Sequence, residues 1–147
     1  MAALVMLSVT VLLGLLLPSS MANNVLYTYK DLLTVESLTN ENYKFEMQSN
    51  CNLVLSDNDT NRILWSSNTT DKGHNCFVRL QANGDLVIFN GKNEVVYSSN
   101  TAGKEDNDKY ILFLYPDGHI IIYEPKWTQP NNTDNYTKRK IAMVTKN

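Results

Sequence analysis

Three stretches of this chain repeat one another. Gln48-Ser49-Asn50-Cys51-Asn52-Leu53-Val54-Leu55-Ser56 is followed, 33 residues on, by Gln81-Ala82-Asn83-Gly84-Asp85-Leu86-Val87-Ile88-Phe89. After a further 34 comes Tyr115-Pro116-Asp117-Gly118-His119-Ile120-Ile121-Ile122-Tyr123. Each leads to a run marked by an aromatic residue: Ile63 to Thr69 with Trp65, Val95 to Thr101 with Tyr97, and Pro125-Lys126-Trp127. A strand-patterned repeat of this length denotes a β unit that cannot bury its apolar face alone. Packing three such units about a pseudo-threefold axis would put Trp65, Tyr97 and Trp127 in a shared core. Stacking on a ligand is the other role open to those rings.

The local pattern agrees. Tyr43 to Met47, Leu53 to Leu55, Phe77 to Leu80, Leu86 to Phe89, Tyr110 to Leu114 and Ile120 to Tyr123 are short and β-rich. Asp57-Asn58-Asp59, Ala82-Asn83-Gly84, Asn90-Gly91-Lys92-Asn93 and Pro116-Asp117-Gly118 supply turns between them. The 19 asparagines favour turns over helix interiors. No apolar 3.6-residue period persists beyond residue 22, so the fold class is all-β.

Residues 1–22 read as a secretory signal peptide. Ala2 to Leu17 carry no charge, yet the run is short for a hydrocarbon core of about 30 Å. Pro18 ends it, and Ser20-Met21-Ala22 supplies the small residues of a cleavage site. A membrane anchor is the competing reading. The expected mature chain begins at Asn23, with a secreted or vacuolar destination. In that oxidising route Cys51 and Cys76 read as a disulfide rather than as thiols. Neither belongs to a C-x-x-C pair, and His74 is the one metal-type ligand nearby. Asn58, Asn68, Asn131 and Asn135 head candidate N-glycosylation sequons.

Charge is unevenly placed. Lys138, Arg139, Lys140 and Lys146 against Asp134 give residues 131–147 a net +3, which leaves −5 on the remainder of a chain of net −2. That balance argues against a nucleic-acid partner for the main domain.

The repeats resemble the motif Q-x-D-x-N-x-V-x-Y of the monocot mannose-binding (bulb-type) lectins. The resemblance extends from Asn23-Asn24-Val25-Leu26-Tyr27 through Met47 to Val54, Trp65-Ser66-Ser67-Asn68-Thr69 and Cys76-Phe77, and covers residues 23–130. It implies a β-prism of three four-stranded sheets with pseudo-threefold symmetry, and a Cys51–Cys76 bridge. It also implies a homo-oligomer, with dimers formed by C-terminal strand exchange, and makes residues 131–147 a C-terminal tail suited to removal as a propeptide. The expected partners are mannose-containing glycans or glycoproteins. No metal or other cofactor is needed.

The motif is expected along a strand, where its alternate residues share one face and can serve one hexose. The first copy keeps Gln48, Asn52 and Val54, with Asn50 for Asp and Ser56 for Tyr. The second keeps Gln81 and Val87, interchanges the acid and amide as Asn83 and Asp85, and has Phe89 for Tyr. The third keeps Asp117 and Tyr123 but has Tyr115, His119 and Ile121 elsewhere. The second copy ranks first as a sugar site, since it retains one carboxylate and one amide; the first copy follows. The third ranks last: Asp117 and Tyr123 are its candidate sugar contacts, but a strand kept for packing is preferred over a working site. His119 has no nucleophile beside it, and repeat symmetry puts Asp85 and Asp117 in different sheets, too far apart for a glycosidase pair. A non-enzymatic lectin is the leading reading. The alternative is a sugar-inactive relative acting through protein contacts, taste modification or storage.

Overall fold

A computed structural model describes residues 23–103 and 109–124, together with the backbone of 141–142. In chain order the strands are β1 (Val25–Tyr27), β2 (Asp31–Leu33), β3 (Ser37–Asn40), β4 (Tyr43–Met47), β5 (Leu53–Asp57) and β6 (Arg62–Ser66). They continue as β7 (Phe77–Leu80), β8 (Leu86–Phe89), β9 (Val95–Ser98), β10 (Ile111–Leu114), β11 (Ile120–Tyr123) and β12 (Ile141–Ala142). These form three four-stranded sheets ordered β1-β10-β11-β12, β2-β7-β8-β9 and β3-β4-β5-β6, with antiparallel neighbours throughout. The all-β, three-sheet expectation holds.

The N-terminal segment explains why there are three sheets. β1, β2 and β3 are edge strands of different sheets. Each turns one leucine inward: Leu26, Leu32 and Leu38 are at most 3% exposed. Tyr29, Val35 and Glu41, set at the same six-residue step, have φ of 64°, 65° and 48°. Tight turns close before the first two steps, where the Lys30 N–H donates to Tyr27 C=O and the Glu36 N–H to Leu33 C=O. The chain thereby passes from one sheet edge to the next.

Alternation then builds the interior. Phe45, Met47, Leu53, Leu55, Val78, Leu80, Leu86, Ile88, Leu112, Leu114, Ile120 and Ile122 join those leucines in one buried cluster. Trp65 packs on it with its ring centroid 6.2 Å from Phe45 and 6.1 Å from Tyr97, which comes from another sheet. Two of the three repeat aromatics therefore meet in the core, as the threefold reading requires.

Trp65 and Tyr97 stand opposite Leu55 and Ile88, and the matching place opposite Ile122 belongs to Ile141. Trp127 lies outside the described residues. Ile141–Ala142 completes the first sheet, although residues 131–147 read as an appendage; pairing with β11 gives its edge backbone groups partners.

Cys51 and Cys76 form the expected disulfide, with Cα atoms 5.2 Å apart. It ties the turn before β5 to the residue before β7 in a neighbouring sheet.

Candidate functional site

Each motif begins as a hairpin turn, not as a strand. In the three copies the first-position N–H (Gln48, Gln81, Tyr115) donates to the fifth-position carbonyl (Asn52, Asp85, His119) at 2.9, 2.9 and 2.8 Å. The fourth-position N–H (Cys51, Gly84, Gly118) returns to the first carbonyl at 3.1, 2.9 and 3.0 Å. The fourth residues sit at φ of 68°, 82° and 80°, left-handed values suited to glycine. Third-position oxygens lock the turn: Asn50, Asn83 and Asp117 Oδ1 accept the N–H two residues on at 3.0, 3.0 and 3.1 Å. Asn and Asp serve equally in this role, since each offers a carbonyl-type acceptor. The expectation of one strand face bearing all five positions is thus corrected. Only the seventh and ninth positions lie on strands, because this local bonding curls the first five into a turn.

The fifth position anchors the following strand in two copies. Asn52 Oδ1 accepts the Ser66 and Ser67 hydroxyls at 2.9 and 3.1 Å and the Thr69 N–H at 3.2 Å. Asp85 Oδ2 accepts the Ser98 hydroxyl at 2.6 Å, while Oδ1 accepts that of Ser99 at 2.8 Å and the Thr101 N–H at 3.1 Å. The Thr69 and Thr101 hydroxyls donate back to the Cys51 and Gly84 carbonyls. Ser66-Ser67-Asn68-Thr69 and Ser98-Ser99-Asn100-Thr101 are the sequence signal for this clamp. Neither run is part of the nine-residue motif that it serves. Among the described residues, no buried side-chain nitrogen or oxygen lacks a partner. Asp85 is 9% exposed. Burial, and then the Asp85 carboxylate, raise the Tyr97 phenol above its ordinary 10.0.

Val54 and Val87 face away from the core cluster but are each only 3% exposed, leaving a sliver of surface for a ligand. Val87 lies in a cross-sheet row with Asp31, Arg79 and Ser98. Arg79 grips Asp31 through Nε and one Nη at 2.6 and 2.7 Å, and Asp31 in turn raises the Arg79 pKa by accepting those bonds. The guanidinium covers Phe77 and Phe89, whose rings stack 5.5 Å apart. A depression of about 300 Å³ beside this row is lined by Tyr29, Arg79, Gln81, Ala82 and Asn83. Tyr29 and Arg79 carry no motif signal, and the sequence reading did not single them out.

The third copy differs. The Tyr115 and Tyr123 hydroxyls bond directly, bringing first and ninth positions together. His119 Nδ1 lies 2.9 Å from Asp117 Oδ1 on an exposed turn. Opposite Ile121 stands Ala142, where the other two sheets have Ser66 and Ser98. The motifs occupy separate sheets, so Asp85 and Asp117 form no carboxylate pair. Asn58 and Asn68 are exposed; Asn131 and Asn135 lie outside the described residues.

No protein-family model matches the chain. The mannose-specific lectin of Aloe arborescens is 37% identical over 103 residues, 70% of this chain and 92% of that protein. The mannose-specific agglutinin of snowdrop (Galanthus nivalis), complexed with methyl-α-D-mannoside, aligns with a TM-score of 0.66 at 36% identity, covering 76% of this chain and 99% of the lectin. Tarin lectin bound to trimannose aligns with a TM-score of 0.65 at 34% identity, covering 74% and 95% of the respective chains. Some relatives are longer: the chain spans 45% of mannose-specific lectin 3 from Crocus vernus, at 34% identity over 69% of its own length. The chain belongs to the monocot mannose-binding lectin family, a family of binding proteins rather than enzymes.

Proposed function

We propose that this protein is a secreted lectin for mannose-containing glycans. Its principal site is the hairpin of Gln81, Asn83 and Asp85 with Val87, and the hairpin of Gln48, Asn50 and Asn52 with Val54 is the second. The observation carrying this reading is that both hairpins have the same hydrogen-bonded frame around their third and fifth side chains. A fixed frame presents polar groups to sugar hydroxyls without an ordering cost at binding. Mannose is the sugar named for the relatives. Asp117 and Tyr123 belong to a third hairpin closed by its two phenols, which contributes packing.

A single such site binds a monosaccharide at about the millimolar level, near −4 kcal/mol. Two sites per chain, doubled by pairing of two copies through their C-terminal strands, raise avidity for branched glycans. Titration calorimetry with methyl-α-D-mannoside and a glycan array of the mature chain test the reading. Selective retention on mannose-terminated glycans is expected. A folded protein that binds no glycan overturns it.

A further inference from the structure

Two of the left-handed residues outside the motifs lie directly beside them. Tyr29 and Val35 both adopt left-handed φ, 64° and 65°. Each donates its N–H to the carbonyl just before a motif: Tyr29 to Leu80 at 3.1 Å, Val35 to Met47 at 2.7 Å. Glycine or asparagine would hold these turns with less strain. The side chains present are large and exposed, Tyr29 at 61% and Val35 at 68%. Such an outlier beside a binding motif points to function.

Tyr29 shares the depression at the second motif with Arg79, Gln81, Ala82 and Asn83. Arg79 is fixed from two sides, by the Asp31 carboxylate and by the Phe77 and Phe89 rings. A fixed guanidinium–carboxylate pair presents donors and acceptors to vicinal hydroxyls. A tyrosine ring presents an apolar face to the C–H side of a pyranose. At the place of Arg79 the other two sheets carry Glu46, opposite Val54, and Phe113, opposite Ile121. Among the three motifs the combination belongs to the second.

Building on the lectin reading above, we infer that Tyr29 and the Asp31–Arg79 pair form a second saccharide subsite. One hexose sits at Gln81, Asn83 and Asp85, and the next lies against the Tyr29 ring and the ion pair. The ligand class is an oligosaccharide of linked mannose units, recognised over two residues.

The test is a site-resolved NMR titration of the full chain, read at the Gln81 side-chain amide, with methyl-α-D-mannoside and with a trimannoside. Tyr29→Asn removes the ring and suits the left-handed turn. It should raise the trimannoside Kd by about 3–10-fold, the range for a lost aromatic contact, leave the monosaccharide Kd unchanged, and keep or raise the thermal midpoint. Tyr29→Phe should retain trimannoside affinity, and Val35→Asn should alter neither Kd at this site. Equal loss for both sugars, or no loss for either, overturns the subsite and leaves the lectin reading standing. A wild-type chain that binds neither sugar overturns both.

Discussion

Asp85 holds in one sheet the place that Asn52 holds in another. Each accepts two serine hydroxyls and the N–H of a threonine from the segment that follows its motif. A residue ranked from sequence as a sugar ligand is therefore also a clamp between a hairpin and its neighbouring strand. Its replacement should be read in stability as well as in binding.

Asp85→Ala removes the acceptor shared by the Ser98 and Ser99 hydroxyls and the Thr101 N–H, and should destabilise the fold by roughly 1.5–3 kcal/mol, the scale of hydrogen bonds to charged groups. Asp85→Asn should be close to neutral, because Asn52 meets the three equivalent donors of its own sheet with an amide. Urea unfolding of both variants checks this. A fully stable Asp85→Ala protein would show that the clamp contributes nothing.

Gly84→Ala should be strongly destabilising. Its φ is 82°, and an added Cβ would lie 2.6 Å from the Tyr110 ring. The left-handed conformation costs about 1–2 kcal/mol, and crowding adds about 1–3 kcal/mol. Thermal unfolding should show a clear drop, repeated by Gly118→Ala against Tyr43. An unchanged midpoint would mean the rings move aside freely.

Phe89→Tyr should strengthen mannoside binding at the second motif by roughly 0.5–1.5 kcal/mol, one net hydrogen bond. In the third motif the ninth-position phenol turns toward the first-position side chain; in the second motif the first position is Gln81. Calorimetry on the variant would refute this if affinity fell or stayed level.

Asp117 titrates below its ordinary 3.8, held there first by the His119 N–H and then by the His119 side chain. A depressed folded pKa places its stabilising contribution above pH 3.8, lost as pH falls through the folded value. His119→Ala removes the side-chain share and should move Asp117 upward while leaving it under 3.8, since the backbone share remains. An NMR carboxyl titration that puts the wild-type group at or above 3.8 would contradict the geometry.

Strand positions were legible where alternation and burial coincide. Tyr43–Met47, Phe77–Leu80, Leu86–Phe89 and Ile120–Tyr123 match the strands residue for residue. The three-residue edge strands β1 and β2 were not, because one inward leucine between turns makes no period within a strand. Their signal is the six-residue recurrence of Leu26, Leu32 and Leu38.

At the candidate site, residue types determined the repeat, the disulfide partners and the motif members, all of which are local or pairwise properties of the chain. The tertiary structure decided what each member does. Hydrogen bonding curls the first five positions into a turn, turns the fifth inward as a clamp in two copies, and brings two phenols together in the third. It also sets Tyr29 and Arg79 beside Gln81, a meeting of the β1–β2 turn with β7 that no spacing along the chain encodes. Backbone pairing across three sheets sets those distances, and a linear motif carries only the residues that pairing brings together.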